Sequence, residues 1–404
     1  MSKIRIKNFG PIKEGCQDND GWLDIKKVTV FIGNQGSGKS TVAKLITTFK
    51  WIEKALVRGD YNKKWFESKN KLKNQYLNYH RLENYLHTNT INPTLIEYMG
   101  DAFHINYAND SLYIEETNKE AYSLPQIMYV PAERNFITYV RTPKELKLSS
   151  ASLKEFLTEF DNAKNDLKGV LKLPINNTEV EYDKLNETLN LKGEGYKVKL
   201  TEASSGFQSL VPLFLVSRYL AHSVNQNKES MSSEEMQRFK KGVEDIWGNE
   251  SLTDEQKRIA LSVLSSKFNK TAFVNVVEEP EQNLFPSSQQ KMLYSLLEFN
   301  NMNQDNKLII TTHSPYLINY LTLAVKAHAL KSKITDKDKL NNIIPIKSAI
   351  NGDDLAIYEF SEIDGSIKKL ETFNGLPSDS NELNDSLDES NELFAQLLEI
   401  QQGL

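Results

Sequence analysis

The chain has 404 residues, of which 39% are hydrophobic and 25% charged, and a mean hydropathy of −0.50, which allows two or three structural units or one large domain with insertions. Acidic side chains outnumber basic ones by 54 to 49, which excludes a wholly basic, DNA-coating protein but leaves room for local basic patches. The single Cys16 excludes an internal disulfide and a cysteine-built zinc site. The opening MSKIRIKNFG lacks a signal-peptide pattern, and the longest apolar run, around Leu210–Val216, ends at Ser217–Arg218, so a soluble, cytoplasmic protein is expected.

Lys3–Asn8 alternates basic and apolar residues and reads as a strand; Leu23–Ile32 (LDIKKVTVFI) reads as another, β-branched and running into glycines. From Gly38 a helix follows, with Val42, Leu45, Ile46 and Phe49 on one face. Residues 52–100 are polar, aromatic and Lys/Asn-rich, and helices with irregular links are expected there. Short strands are expected near Phe103–Ala108 and Leu112–Glu115, and Gln126–Val130 forms another that stops at Pro131. Within 142–195 a helix near Ser152–Leu167 accompanies β-like pieces such as Glu179–Tyr182. A second compact core begins with a helix near Ser204 carrying LVPLFLV, followed by a polar helical insertion at 223–270. Thr271–Val277 and Leu308–Thr312 read as buried strands, each followed by a helix, Pro286–Phe299 and Pro315–Leu330. Strands separated by helices on this scale predict a parallel α/β sheet. After Lys369 the chain contains no Lys or Arg, and its polar, acidic stretch carries an apolar-faced segment, Leu393–Leu398. There is no internal repeat.

Four segments carry chemistry. GNQGSGKS, comprising Gly33, Asn34, Gln35, Gly36, Ser37, Gly38, Lys39 and Ser40, with Thr41 next, matches G-x-x-x-x-G-K-[ST] between an expected strand and an expected helix. Glycines let backbone N–H groups cradle phosphate oxygens at a helix start; Lys39 would reach the β/γ-phosphates and Ser40 would ligate Mg²⁺. FVNVVEEPEQNLFP ends a hydrophobic strand in two carboxylates. Glu278 would bind Mg²⁺ through water and Glu279 would act as general base, although an acidic pair after a strand is by itself an ordinary solvated end. In LIITTHSP, His313 stands just past a buried strand and 34 residues after Glu279, where it could contact the γ-phosphate and hold the lytic water. ASSGFQS places Ser204, Ser205 and Gly206 at a helix start able to hold an anion, or to serve as an ordinary Ser cap.

In this order the four segments resemble the ABC-type ATPases, and within them the SMC, RecF and OLD branch, over about residues 1–50 and 200–330. The resemblance implies an α/β fold: an ABC-type P-loop NTPase sheet with flanking helices, an antiparallel β element and helical insertions. It further implies ATP and Mg²⁺ as ligands and ATP hydrolysis as the activity. The nucleotide site would be split, with Gly33–Thr41, Glu278, Glu279 and His313 of one subunit facing Ser204, Ser205 and Gly206 of a second copy. Asn283 stands where the family's D-loop crosses the dimer interface, and Gln126, opening a strand between two insertions, is the candidate Q-loop metal ligand. Glu278 stands where transporters carry Asp, and Phe207 replaces the usual Gln or Glu after the signature glycine. The expected division is an ATPase core of 1–50 and 200–345 carrying the 223–270 insertion, an inserted helical and β lobe of 51–199, and a C-terminal β element with an acidic tail helix at 346–404.

After His313 only Asp353 and Asp354 stand out, and they do not make the acidic constellation of an OLD-type Toprim nuclease. The chain therefore resembles the stand-alone ATPase subunits of bacterial antiphage systems such as Septu, retron-linked Septu and PARIS. Its expected role is a nucleotide-driven sensor or scaffold controlling a neighbour-encoded nuclease or Toprim protein. The alternative is a RecF-like DNA-binding ATPase of repair or recombination. Residues 61–85 interleave Lys63, Lys64, Lys69, Lys71, Lys73 and Arg81 with Tyr61, Trp65, Phe66, Tyr76 and Tyr79. That pattern suits either a nucleic-acid face or, more simply, an amphipathic element packed on the ATPase lobe. No membrane partner is expected.

Overall fold

The computed structural model describes residues 2–87, 92–117, 122–139, 150–226, 233–268 and 271–403. The parts of the expected lobe and insertion at 88–91, 118–121, 140–149, 227–232 and 269–270 lie outside these described residues.

The N-terminal part contains β1 (Lys3–Lys7), β2 (Gly15–Cys16), β3 (Trp22–Asp24) and β4 (Val28–Gly33). The run Leu23–Ile32, expected as one strand, is two strands in different sheets: β3 pairs with β1, whereas β4 enters the central sheet. The break has a local cause. The Thr29 hydroxyl accepts from the Lys26 backbone N–H at 3.0 Å, closing a turn that competes with extended pairing. The chain continues through α1 (Lys39–Arg58), α2 (Lys63–Glu67), a π-helical turn at Leu72–Leu77, and strands β5 (Leu95–Met99), β6 (Phe103–Ala108), β7 (Ser111–Glu116) and β8 (Pro125–Val130). Next come α3 (Phe136–Tyr139), α4 (Ala151–Asp166) and an antiparallel sheet of β9 (Val170–Lys172), β10 (Glu179–Asp183), β11 (Thr188–Gly193) and β12 (Tyr196–Lys199).

The second half begins with α5 (Ser205–Gln226), which runs through Pro212, followed by α6 (Ser233–Gly248) and α7 (Asp254–Phe268). Strand β13 (Ala272–Glu278) leads to α8 (Pro286–Asn301), and β14 (Lys307–Thr311) leads to α9 (Pro315–Lys331) and α10 (Lys337–Ile343). The chain then forms β15 (Leu355–Phe360), β16 (Ser366–Lys369), the hairpin of β17 (Thr372–Phe373) and β18 (Leu376–Pro377), and α11 (Glu382–Gly403).

The central sheet has the order β2-β16-β15-β4-β14-β13-β8, and its five strands from β15 to β8 are parallel. A second sheet, β3-β1-β5-β6-β7, is antiparallel. The protein therefore has the mixed α/β fold expected, with an antiparallel element and helical additions. The core sheet, however, takes β8 and β15 from segments expected to belong to the inserted lobe and to the C-terminal element. A parallel sheet needs long crossovers, so strands distant in sequence become its neighbours.

Alternation along β4 explains why this sheet is covered on both faces. Val28, Val30 and Ile32 pack into one core with Leu213 of α5, Met292 of α8 and Leu321 of α9. Phe31 enters the opposite core with Val42, Ile46 and Phe49 of α1 and Tyr98 of the antiparallel sheet. Within the expected basic and aromatic stretch Tyr61, Phe66, Tyr76 and Tyr79 are buried, so its rings serve packing first. Cys16 is buried and free. No helix among the described residues is long and apolar enough to cross a membrane.

Candidate active site

Parallel strands deliver their C-terminal ends to one edge of the sheet, where ligands of open α/β folds bind. The registers Phe360↔Gly33, Phe31↔Thr311, Thr311↔Glu278 and Val277↔Val130 align those ends here. Loop Gly33–Thr41 leaves β4 at this edge and enters α1. Gly33 lies at φ +130°, and a Cβ there would stand 2.3 Å from the Phe360 carbonyl oxygen, so only glycine fits beside β15.

Lys39 is 5% exposed, and its ammonium donates to the carbonyls of Gly33 at 2.7 Å and Asn34 at 2.6 Å. Burial lowers its pKa to about 8, against the pull of Glu279 and other carboxylates. The Asn34 amide donates to Glu362 at 2.9 Å, tying the loop to the turn after β15. Ser40 is half-buried at the start of α1, and Thr41 is buried.

Glu278, the last residue of β13, is buried, and its Oε2 accepts from the Ala132 N–H at 3.2 Å. Glu279 follows in the left-handed region at φ +44°, with its N–H bonded to the Thr311 carbonyl at 2.9 Å. Burial and the neighbouring Glu278 raise its pKa, partly opposed by Arg134 and Lys39. His313 Nε2 lies 3.6 Å from Glu279 Oε1. Burial and the Lys39 charge lower the His313 pKa, with contact to the Gly33 backbone opposing, so the ring is held neutral at neutral pH.

The donors present fit ATP with Mg²⁺. A glycine-shaped loop with a buried ammonium at a helix start suits phosphate. Among the described residues no cluster of three His, Cys, Asp or Glu side chains could cage a metal alone. A cation here would need phosphate oxygens and waters beside the Ser40 hydroxyl and the Glu278 carboxylate, which is the manner in which Mg²⁺ binds nucleotide sites.

Two expected positions lie elsewhere. Gln126 is 2% exposed at the start of β8, paired with Phe273, five residues before Glu278 on β13. It sits at the opposite end of the parallel sheet from the loop, so the structure removes it as a metal ligand. Ser204 and Ser205 are exposed at the start of α5, and no hydrogen bond among the described residues joins Ser204–Gly206 to Gly33–Thr41. Their neighbour is the turn after β13: Asn283 Nδ2 donates to Ser209 Oγ at 3.0 Å, and the Asn283 carbonyl faces Gly206.

Two side chains escaped the sequence reading. Arg134, fully buried three residues past Pro131, donates to the carbonyls of Glu278 at 2.7 Å, Glu279 at 2.6 Å, Pro131 at 3.3 Å and Ser209 at 3.1 Å. Burial pushes its pKa down to about 10. Glu281 accepts from the Thr312 hydroxyl at 2.7 Å and the His313 N–H at 2.8 Å. The available signals were an arginine just beyond a strand that ends at the site, and the third carboxylate of EEPE.

A family profile described as an AAA ATPase domain matches residues 105–318, which include Ser204–Gly206, Glu278, Glu279 and His313; the loop Gly33–Thr41 precedes it. Among solved structures, the SMC head domain from Thermotoga maritima is similar at 10% identity and TM-score 0.38, over 92% of this chain and 98% of that one. An Smc head domain with an extended coiled coil bound to the C-terminal domain of ScpA, derived from Pyrococcus furiosus, is similar at 10% identity and TM-score 0.35, over 98% and 100% of the two chains. The ATP-binding cassette MJ0796, in a dimeric post-hydrolysis state bound to ADP and Pi, is similar at 13% identity and TM-score 0.29, over 92% and 100%. No curated protein matches the chain. With more than half of its length matched, the chain belongs to the AAA ATPase domain family and is an ATP-hydrolysing enzyme.

Proposed function

We propose that two copies of this chain close around ATP at shared sites, and that this nucleotide-driven change controls a separate effector protein in bacterial antiphage defence. The observation that carries the reading is a separation. Gly33–Thr41, Glu278, Glu279 and His313 converge at the strand ends, whereas Ser204 and Ser205 stand exposed at the start of α5, unattached to that loop. An exposed helix start of small polar residues can offer its N–H groups to the phosphates held by a second copy.

In this reading Lys39 holds the β/γ-phosphates, and the other residues of Gly33–Thr41 wrap them. Ser40 and Glu278 would hold Mg²⁺, which would supply charge neutralisation at the phosphates. Glu279 accepts the proton of the attacking water, and neutral His313 orients that water. Asn283, touching both Ser209 and Gly206, joins the helix of one half-site to the carboxylates of the other.

The effector part rests on the order of the four motifs and on α11. That helix lies in an acidic stretch without Lys or Arg after Lys369, and it exposes Leu393, Phe394 and Leu397. Such a surface suits a neighbour-encoded nuclease or Toprim protein with a basic rim around an apolar groove, in the cytoplasm. The proposed division keeps an ATPase core, now including β8 and β15, with the insertions as contact surfaces.

The test is co-expression with the products of adjacent genes. The reading expects a stable complex, phage resistance in cells carrying both genes, and loss of protection in Lys39→Ala and Glu279→Gln. If no partner co-purifies, duplex DNA alone stimulates hydrolysis, and deletion sensitises cells to DNA damage without altering phage plating, the repair reading replaces it.

A further inference from the structure

Away from the strand ends, a cavity of about 460 Å³ opens between the π-helical turn at Leu72–Leu77, α2 and the linked ends of α6 and α7. Its volume lies within the range of small-molecule sites. Arg258 lines it and is 7% exposed. The guanidinium carbon lies 3.7 Å from the Tyr79 ring centroid, 4.8 Å from Trp51 and 5.1 Å from Tyr76. Its Nη1 is fully buried and has no hydrogen-bond partner among the described residues.

The nearby carboxylates are already engaged. Asp254 accepts from Gln75, Glu255 pairs with Lys154 at 3.7 Å, and Glu155 accepts from the Tyr79 hydroxyl. Aromatic faces favour a cation but supply no acceptor for its N–H groups, and a buried guanidinium left without one is costly. An oxyanion entering the cavity would remove that cost. The remaining wall indicates what the oxyanion is attached to. Half-buried Trp65 and Trp247 line the wall with their rings edge-on at 5.5 Å, the Lys71 ammonium lies 3.7 Å over the Trp65 ring, and the exposed amides of Asn74 and Asn78 stand at the rim.

We propose that this cavity binds a nucleoside 5′-phosphate, with the phosphate on Arg258, the base against the Trp65 and Trp247 wall, and the Asn74 and Asn78 amides at the base edge. It is separate from the candidate ATP site and does not depend on the roles given to Glu279 or Ser205. The π-helical turn that shapes the rim is itself a rare local geometry that recurs at functional sites.

The test uses the full chain carrying Lys39→Ala, which silences the phosphate loop, with tryptophan fluorescence and calorimetry as readouts. The probes are AMP, GMP, CMP and UMP, inorganic phosphate, adenosine, and a 5′-phosphorylated oligonucleotide. At least one mononucleotide should bind saturably, with adenosine and inorganic phosphate each about tenfold weaker or more. Arg258→Met should lose about tenfold in affinity, because it removes the cation that meets the phosphate while keeping much of the side-chain volume. Trp65→Ala should weaken the nucleotide but not phosphate, and it keeps the proposal testable if Arg258→Met does not fold. Saturation by the oligonucleotide alone, with no mononucleotide bound, would overturn the mononucleotide assignment in favour of a nucleic-acid strand end. Failure of every phosphate probe, equal binding of adenosine or of bare phosphate, or unchanged binding by Arg258→Met would overturn the site.

Discussion

The Arg134 guanidinium donates to the Glu279 backbone carbonyl at 2.6 Å, so a fully buried side chain fixes the main chain that aims the proposed general base. The same group bonds the Glu278 carbonyl and the Ser209 carbonyl of α5, linking both carboxylates to the helix that starts at Ser205. Glu279 holds a left-handed backbone that a non-glycine residue adopts only where its surroundings enforce it. Arg134→Ala should cost about 3–5 kcal/mol by stranding several buried carbonyls. Arg134→Lys retains the charge but cannot span three segments. It should lower ATP turnover at least tenfold while leaving nucleotide affinity within about threefold, measured by steady-state hydrolysis and equilibrium binding.

Glu281 acts on His313 from the main-chain side. Burial raises its pKa, so folding disfavours the ionised carboxylate relative to the unfolded chain, and that charge costs stability at neutral pH. Glu281→Gln keeps one acceptor oxygen and removes that charge, so its stability at pH 7 should stay within about 1 kcal/mol of the parent or exceed it. Glu281→Ala orphans the Thr312 hydroxyl and the His313 N–H; it should cost about 1–3 kcal/mol and lower turnover about tenfold. Denaturant titration beside hydrolysis rates distinguishes the two.

The low pKa of Lys39, about 8, sets a pH dependence. In the folded protein the ammonium is disfavoured relative to its ordinary value of 10.5, so it costs stability below pH 8, and that cost is lifted as pH rises from 8 to 10.5. The parent should therefore gain up to about 3 kcal/mol relative to Lys39→Met across that window. ATP affinity should be flat below pH 8 and fall above it by up to about tenfold per pH unit, whereas Lys39→Arg should show no such fall. Calorimetry between pH 7 and 10 checks both the slope and its loss.

Gly206 is set by its neighbour and not by its own backbone angles. An added Cβ would stand 2.9 Å from the Asn283 main-chain oxygen, and main chain cannot swing aside as a side chain does. Gly206→Ala should displace the turn after Glu279 and lower turnover about tenfold or more, with a stability loss of only about 1–3 kcal/mol. Single-turnover hydrolysis beside thermal unfolding measures the two effects separately.

The strands, loop and helix that carry the candidate site were legible because their signals are local. The glycines of Gly33–Gly38 match a loop whose shape they dictate, and the helix face of Val42, Leu45, Ile46 and Phe49 is fully buried as its spacing predicted. The β13 and β14 regions read as buried strands because a sheet covered on both faces is apolar throughout. What failed was non-local. The N-terminal position of Gln126 on β8 becomes visible only once that strand is paired in parallel with β13. Thr29 breaks Leu23–Ile32 through a bond to Lys26 that no alternation pattern records. Arg134 gains its place from carbonyls on β13 and α5, far along the chain, so an isolated arginine in PAER carries no sign of it.

The split site is the central claim, and mixing two inactive variants tests it most directly. Lys39→Ala disables the phosphate loop, and Ser205→Arg places a bulky cation where a second copy must meet phosphate. Each alone should lack hydrolysis, with Ser205→Arg still binding ATP. A mixed dimer carries both defects in one site and leaves the other site whole, so the account predicts that mixing restores ATP hydrolysis to about a quarter of the wild-type rate, from random pairing of protomers. Full activity of Ser205→Arg by itself, or a mixture that stays inactive although the two variants associate, would contradict it.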